Sequence, residues 1–508
     1  MNVLIDRSSK EKLGMFLFVL SLLFTLFVTY IGVSRFGIWY DEQYSLTMMF
    51  SSVDYIFTEG STNVHPLGYY FILKFFFKIA SILFTNFNVV MLGRLVSVIP
   101  LFGILILSIT KVKKNFGWLT AGLFAFCLSS MPQLMNFYVE IRMYSWALFF
   151  VTVSFVVIYE ILNKQSDLKN WIILTIATIA SFYTHYFAGI ASIGLFLFLF
   201  FKLYCENKSE LKKWFFSVIC VVISYVPWIL ILLNQIKQVS GYYWITLTTS
   251  TNIIGFLEFI LSPENTIVPG NFEPSIDFSL YFIVSIIFLG IIMVSIYLNI
   301  KNNDGNNRYA MAGLFLVVFV CIIGIICSIL IKPMLHPRYL IPALGCFWLG
   351  VSILISNNYD NKKIFVLAVI VILIVGTVST LNFWENESNE YQNSLEVMDV
   401  IGQLGDNNVI IYKNLSAYGV NPYYNFDNNK YIWVTAGLDD NLDNLNYEFN
   451  NIAHETDVQS RLNNGGHLYY VFKDDGTNVP LKSTDNLEFN KISLENSQNM
   501  SFYEVNLK

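Results

Sequence analysis

The stretch RFGIWYDEQYSL, residues Arg35–Leu46, places two adjacent acids, Asp41 and Glu42, directly after a long apolar run. That run covers residues 13–33, follows three basic residues, and has the length of about 20 residues that crosses a bilayer. Because no small-residue cleavage site follows it, we expect a retained membrane helix rather than a signal peptide. The aromatic residues around the acids suit a membrane–water interface. The role of the acidic pair therefore depends on the side of the membrane that it faces.

The composition is that of a polytopic membrane protein. Of the 508 residues, 55% are hydrophobic and only 13% are charged, which is more apolar surface than a soluble chain of this length needs. Apolar runs of spanning length lie near residues 13–33, 88–110, 117–138, 143–162, 171–184, 186–204, 214–234, 278–300, 310–331, 338–356 and 363–382. The six cysteines lie in or beside these runs, so we expect neither a disulfide framework nor a thiolate metal site.

The charge of the chain changes sign after Phe383. Residues 1–383 carry a net charge of +7, whereas residues 384–508 carry −12 and contain no long apolar run. These changes predict a membrane domain over residues 1–383 and a soluble domain over residues 384–508. In the soluble part, LEVMDVIGQL has helical spacing, and NVIIYK, KYIWVT and HLYYVF have the pattern of short buried strands. A small α/β domain is therefore predicted there.

The basic residues of the loops predict the topology. The apolar stretch of residues 66–84 carries Lys74 and Lys78 on one helix face, which is unusual for a lipid-exposed span and ordinary for an interfacial helix. If this stretch does not cross, one side of the membrane holds 16 basic residues of the membrane domain and the other side holds 8. Basic residues mark the cytoplasmic side. We therefore predict eleven crossings of the plasma (cytoplasmic) membrane, a cytoplasmic N-terminus, a first external loop of residues 34–87 and an external C-terminal domain.

The predicted external side collects carboxylates, imidazoles and arginines, which suggests a site rather than a solvated rim. Asp41 is a candidate general base with Glu42 beside it, although two solvated acids beyond a helix end would give the same pattern. The candidate substrate-binding residues are His65, Tyr69, Glu140, Arg142, Tyr144, His185, Tyr186, His336, Arg338 and Tyr339.

Each of the basic candidates has a structural alternative. Arg142 and Arg338 lie at predicted external helix mouths, where an arginine can hold a phosphate with its bidentate fork. The same arginines could instead extend to the interface, and Arg142 could simply pair with Glu140. His65 precedes a proline at a predicted helix start, where it could bind an anion, orient the base or be a surface histidine. His185 lies in a turn so short that a structural role is equally open.

Several segments together carry a family resemblance. WYDEQYS, HPLGYY, RLVSVIPLFGIL, EIRMYSWAL, THYFAG and HPRYLIP occur in this order over roughly residues 13–350. The chain resembles the prokaryotic branch of the dolichyl-phosphate-mannose–protein mannosyltransferases, relatives of the lipid A aminoarabinose transferases. The resemblance implies an α-helical polytopic membrane protein of the GT-C type with about eleven transmembrane helices. The family usually has His-Pro-Pro-Leu-Tyr where this chain has His65-Pro66-Leu67-Gly68, which weakens the assignment of a role to His65.

The resemblance also implies roles and partners. Asp41 stands at the position of the family's proposed base, Glu42 beside it, and Arg338 at a position expected near the donor phosphate. The implied donor is a polyprenyl-phosphate-linked sugar, and the acceptor hydroxyl belongs to a protein, a lipid or a cell-wall polymer. One base and direct displacement predict inversion at the anomeric carbon. Membrane lipids are partners, nucleic acid is not, no cofactor is certain, and a divalent cation is left open.

Two other functional classes remain open. A lipid-linked saccharide flippase or other transporter would place its charges near the bilayer midplane and often shows repeated halves, whereas these charges lie at one predicted surface and no repeat is visible. A polysaccharide polymerase or ligase would also use external arginines, but it gives no reason for the pair of Asp41 and Glu42.

Overall fold

The computed structural model describes residues 2–35, 37–60, 64–163, 167–241, 245, 250–263, 280–302, 305–413, 431–436, 447–448, 460–473, 487–494 and 500–507. The chain divides into two compact units. The first unit consists of Met1–Tyr30, Ser52–Ile72 and Leu95–Phe383. The second unit consists of Ile31–Ser51, Leu73–Arg94 and Trp384–Lys508.

Most of the described residues are helical. The α-helices are α1 (Asn2–Ser34), α2 (Tyr40–Phe50), α3 (Val53–Gly60), α4 (Gly68–Leu83), α5 (Val89–Leu107), α6 (Lys113–Ser130), α7 (Pro132–Val139), α8 (Tyr144–Leu162), α9 (Leu168–Thr184), α10 (Tyr186–Glu206), α11 (Leu211–Gly241), α12 (Ser250–Leu261), α13 (Leu280–Asn302), α14 (Asn307–Leu330), α15 (Ile341–Asn357) and α16 (Lys362–Gly402). A π-helical segment, Ser108–Val112, joins α5 to α6, and short 3-10 helices, Lys208–Glu210 and Pro337–Leu340, precede α11 and α15.

Nine helical segments of the described residues are long and apolar enough to cross a membrane, so the chain is a multi-pass membrane protein. Two local features separate this number from the predicted eleven. The segment Val89–Ser130 counts once although Gly117 inside it has a φ of 86°, a conformation that interrupts a helix. Helix α9 has 17 residues, fewer than the about 20 of an ordinary span. Eleven crossings remain a prediction, and α4, which carries Lys74 and Lys78, is not among the nine.

Helix α15 is the centre of the first unit. It packs against α6, α8, α13 and α14, and 94% of the apolar segment around it is buried. Small residues allow the close approach, because a Cβ atom at Gly345 would collide with Thr152 of α8 and one at Gly313 would collide with the Cys346 carbonyl. Helix α8 also packs against α9 and α10. This packing brings together the turns that precede α8, α10 and α15.

The second unit contains a six-stranded sheet. Its strands are β1 (Asn408–Lys413), β2 (Tyr431–Ala436), β3 (Tyr447–Glu448), β4 (Leu468–Lys473), β5 (Leu487–Ile492) and β6 (Met500–Leu507), in the spatial order β3-β2-β1-β4-β6-β5. Strand β1 pairs in parallel with β2 and β4, and the remaining pairs are antiparallel. The predicted α/β character and the three predicted strands, β1, β2 and β4, are therefore confirmed, whereas β3, β5 and β6 were not predicted.

The sheet packs against the end of α16. Val397, Met398 and Ile401 of the helix share a core with strand residues such as Ile410 and Phe502. The segment LEVMDVIGQL, predicted as a helix of the soluble part, ends the same helix that begins in the apolar run. One continuous α16 of 41 residues thus leads from the apolar run to the sheet.

Candidate functional site

Five basic side chains of the first unit come together, and we call them the His–Arg cluster: His65, Arg142, His185, His336 and Arg338. All five lie at helix junctions rather than inside spans, because each precedes or follows a turn that the bundle packing brings to one place. All five are buried, with between 1% and 8% of their surface exposed. A solvated rim would leave such side chains in water, so this arrangement is a built site.

Aromatic rings connect the members of the cluster. The ring centroids of His65 and His185 lie 5.5 Å apart, and those of His185 and Tyr339 lie 5.2 Å apart. The ring of Tyr144 is 5.5 Å from that of His185. The Arg338 guanidinium carbon lies 5.8 Å from the ring centroids of both Tyr144 and Tyr339. Cation–π contacts therefore hold the Arg338 head group beside the histidines.

His185 and His336 occupy equivalent positions at the starts of helices. Each is an N-cap residue with extended backbone, and its Nδ1 atom accepts a hydrogen bond from the amide two residues later. The distances are 3.1 Å from the Phe187 amide and 3.3 Å from the Arg338 amide. Because Nδ1 accepts, the proton of the neutral imidazole lies on Nε2. Both rings thus present an Nε2–H donor, and that of His185 has no hydrogen-bond partner among the described residues.

The three histidines of the cluster are neutral. Burial, followed by the charges of Arg142 and Arg338, lowers the pKa of His185 to about 3. Burial and then the charge of Arg142 hold the pKa of His65 well below its usual range, and burial and Arg338 do the same for His336. The positive charge of the site therefore comes from the two arginines, while the imidazoles supply uncharged donors.

A glycine allows the loop of His65 to join the site. Gly68 packs so closely against the backbone carbonyl of Tyr183, at the end of α9, that a Cβ atom there would collide with it. His185 follows Tyr183 by two residues, so this contact brings the His65 loop beside the His185 turn. The presence of Gly68 in this motif thus has a steric reason.

The other candidates of the first unit lie around the cluster in different ways. The hydroxyl of Tyr69 bonds with Ser97 at 2.7 Å, whereas its neighbour Tyr70, which was not predicted, receives a hydrogen bond of 3.4 Å from Arg142. Glu140 is buried in the same turn as Arg142, whose amide donates to its backbone carbonyl.

Tyr186 is held by α11. Its hydroxyl donates to Gln235 and accepts from Trp228 at 3.0 Å. Its position thus fits the packing of α10 against α11.

The acidic pair belongs to the second unit, and its two members differ. Glu42 is fully buried, whereas Asp41 is half-buried. The Glu42 carboxylate forms ion pairs with Arg35 at 2.8 Å and with Arg94 at 3.4 Å. It also accepts from the Trp39 amide at 3.4 Å, which caps the start of α2. Glu42 therefore has the surroundings of a fixed structural charge.

Three members of this arrangement were not predicted: Arg35, Arg94 and Glu387. With Glu42 they form what we call the Glu42 network, in which Arg35 also pairs with Glu387 at 3.4 Å. Arg94 donates to the Arg35 carbonyl and, at 2.6 Å, to the Gly37 carbonyl. A signal was present in the sequence, because Arg94 is a charged residue inside an apolar run and such residues are nearly always paired.

The described residues offer no candidate metal site. No group of three or more histidine, cysteine, aspartate or glutamate side chains in that part of the chain could hold a metal ion. The His–Arg cluster instead has the charge and donors that suit an anion, with two guanidinium groups and neutral imidazole N–H groups.

The fold resembles that of ArnT, which has been solved in two states. ArnT from Cupriavidus metallidurans in its apo state superposes with a TM-score of 0.55 at 10% sequence identity, over 96% of this chain and 97% of that chain. The same protein bound to undecaprenyl phosphate gives a TM-score of 0.54 at 11% identity, with the same coverage. The oligosaccharyltransferase AglB from Archaeoglobus fulgidus, in complex with an inhibitory peptide and a dolichol-phosphate, gives 0.44 at 10% identity, over 89% and 69% of the two chains.

The likeness to known proteins does not extend to the amino-acid sequence. No protein-family model matches the chain, and no curated protein matches it in sequence. At 10% identity the likeness to ArnT concerns the fold, which extends over almost the whole of both chains. The predicted GT-C type of membrane fold with a small C-terminal sheet domain is confirmed.

Proposed function

We propose that this chain is an inverting glycosyltransferase that moves a sugar from a polyprenyl-phosphate-linked donor to an acceptor hydroxyl at the outer face of the plasma (cytoplasmic) membrane. The observation that carries the proposal is the His–Arg cluster, a buried, positively charged site in a membrane protein with the fold of ArnT. Two buried guanidinium groups beside uncharged imidazole N–H donors suit an anionic ligand. A lipid-linked phosphate supplies one at the depth where helices begin and end.

The His–Arg cluster binds the donor phosphate in this proposal. Arg142 and Arg338 take its oxygens with their guanidinium groups, and the Nε2–H group of His185 donates a further hydrogen bond. Tyr144 and Tyr339 keep the Arg338 head group in place through their rings. The crystal structure of ArnT with bound undecaprenyl phosphate supports a polyprenyl carrier of this class.

The chemistry is a single displacement. The acceptor oxygen attacks the anomeric carbon while its proton passes to the Asp41 carboxylate, and the bond from that carbon to the phosphate oxygen breaks. The electron pair leaves with the phosphate, whose growing charge the arginines stabilise. One attack from the face opposite the leaving group inverts the anomeric configuration. Asp41 is the better base of the acidic pair, because the Glu42 carboxylate is occupied by arginines.

The topology in this proposal follows the distribution of basic residues. The side with 16 basic residues is cytoplasmic and includes the N-terminus, while the C-terminal domain is extracytoplasmic. The acceptor is then a protein, a lipid or a cell-wall polymer at the outer surface.

The test compares two arginine variants in proteoliposomes supplied with radiolabelled sugars on polyprenyl phosphate. Arg338→Lys should lower kcat/KM for the donor by about 10-fold or more. Lysine keeps the charge but cannot form the bidentate contact. Arg308→Lys is the control, since the side chain of Arg308 is 82% exposed, and it should transfer like the wild type.

Two outcomes would overturn the proposal. One is wild-type transfer that survives Arg338→Lys unchanged. The other is label that crosses the membrane while no donor is consumed, which would identify a transporter.

A further inference from the structure

The Glu42 network joins four charged side chains through ion pairs. Arg35 and Arg94 carry two positive charges, and Glu42 and Glu387 carry two negative ones. Glu42 and Arg94 are fully buried, and Glu387 is only 7% exposed. Since an unpaired buried charge is strongly unfavourable, each member depends on the others. Removal of the Glu387 charge alone would take one ion-pair partner from Arg35.

The network is connected to the C-terminal sheet by one helix. Glu387 lies on α16, and the same helix carries Val397 and Ile401 into the core of the sheet domain. The helix is continuous between these residues, so roughly 20 Å of α-helix connects Glu387 to the core of the sheet domain. At the Glu387 end of this helical segment, Glu387 forms an ion pair with Arg35 at 3.4 Å.

Hydrogen bonds from side chains of the second unit hold both ends of helix α2. At its start, Arg94 holds the Glu42 side chain and the Gly37 carbonyl that precedes the helix. At its end, Lys74 donates to the carbonyls of Met49, at 3.2 Å, and of Ser51. The direction of the Asp41 side chain follows from the rotation of α2, because Asp41 directly precedes Glu42 in the first turn.

We infer that Glu387 is a positioning residue, by which the C-terminal domain orients Asp41 through Arg35 and Glu42. The inference rests on the proposed function, in which Asp41 is the base. It assigns a task to the C-terminal domain: through α16, this domain keeps α2 in the rotation that the transfer reaction requires. A sheet domain that only covered the membrane part would not need a buried charge on α16 paired with the loop of the base.

The first test needs no activity. Hydrogen exchange of the α2 amides is measured by mass spectrometry on the full-length protein in detergent, for the wild type, Glu387→Gln and Glu385→Gln. Glu385 is an exposed residue of the same helix and serves as the matched control. Glu387→Gln should speed exchange in α2 by about 10-fold or more while β6 and α8 exchange as in the wild type. If exchange in α2 stays at the wild-type rate, Glu387 does not position this helix.

A second variant covers the case in which Glu387→Gln does not fold. Glu387→Asp keeps the charge and shortens the side chain, so it should fold and show a smaller increase of exchange, confined to α2. Exchange that rises equally in α2, β6 and α8 would indicate general destabilisation and would overturn the inference.

The activity test separates positioning from structure. Glu387→Gln should lower kcat by about 10-fold or more with the donor KM unchanged, because misplacement of a catalytic group costs rate. In the Asp41→Asn background the same substitution should cost nothing further, since it acts through Asp41. A further loss in that background would reveal a merely structural role. If Asp41→Asn itself is fully active, the proposed base is wrong, while the exchange experiment still decides whether Glu387 orders α2.

Discussion

The imidazole ring of His185 contacts two other rings of the site, with its centroid 5.5 Å from that of His65 and 5.2 Å from that of Tyr339. These residues come from three separate parts of the sequence, and each lies next to a helix start. The cap hydrogen bond to Nδ1 fixes the tautomer of His185, so the ring enters the site as a neutral donor.

His185→Asn should weaken donor binding without loss of fold. Asparagine is a good N-cap residue and can accept from the Phe187 amide, but it lacks the Nε2–H donor. We expect the donor KM to rise by about 10-fold, the equivalent of one lost hydrogen bond to an anion. The control is His467→Asn on the exposed side of the sheet domain, where the imidazole is 58% exposed. A donor KM equal to that of the wild type would remove His185 from the binding site.

The neutral histidines predict a loss of stability in acid. In the unfolded chain a histidine takes up a proton near pH 6.5, whereas folded His185 does so only near its pKa of about 3. Its contribution to stability is therefore complete above pH 6.5 and is lost as the pH falls below that value. Between pH 7 and pH 5 the loss from His185 is on the order of 2 kcal/mol.

The measurement is thermal unfolding in detergent at both pH values. His185→Asn cannot titrate, so its unfolding midpoint should fall less than that of the wild type. Equal shifts in the two proteins would mean that His185 is already charged in the folded state at pH 5.

Gly68→Ala should damage the site through sterics alone. The new methyl group would collide with the Tyr183 carbonyl and push the His65 loop away from the His185 turn. Overpacking of this kind costs roughly 1–3 kcal/mol. Gly290→Ala on α13 is the control, because a Cβ atom there meets no neighbouring atom. The thermal midpoint of Gly68→Ala should fall relative to this control, and equal midpoints would refute the close contact.

Part of the site could be predicted from residue types and order. Histidines and arginines next to helix boundaries in a strongly apolar chain are costly unless they serve a purpose, and Arg142, His185, His336 and Arg338 do meet in one cluster. The tertiary partners could not be predicted in this way. Asp41 and Glu42 are adjacent and chemically similar, but a helix directs neighbours about 100° apart, so one is buried between arginines and the other is half-buried.

The fold, like the site, could be predicted from the sequence only in part. Long apolar runs predict membrane helices because the bilayer sets their length, and nine helical segments of the described residues are long and apolar enough to cross. No comparable rule predicts which residues form an ion pair. Glu387 lies just beyond the last apolar run, and only the structure pairs it with Arg35. Strands β5 and β6 escaped prediction because LEFNKI and MSFYEVNL mix polar and apolar residues without a continuous buried run.

The most direct test of the proposed transferase is the rate of sugar transfer by Asp41→Asn. Wild type, Asp41→Asn and Asp54→Asn are reconstituted and supplied with a panel of radiolabelled polyprenyl-phosphate sugars, and both donor loss and labelled product are followed. Asp54 is an exposed acid of the same predicted loop and should be dispensable. We predict transfer by the wild type and by Asp54→Asn, and a rate lower by about 10²-fold or more for Asp41→Asn. Full transfer by Asp41→Asn would contradict the assignment of Asp41 as the general base.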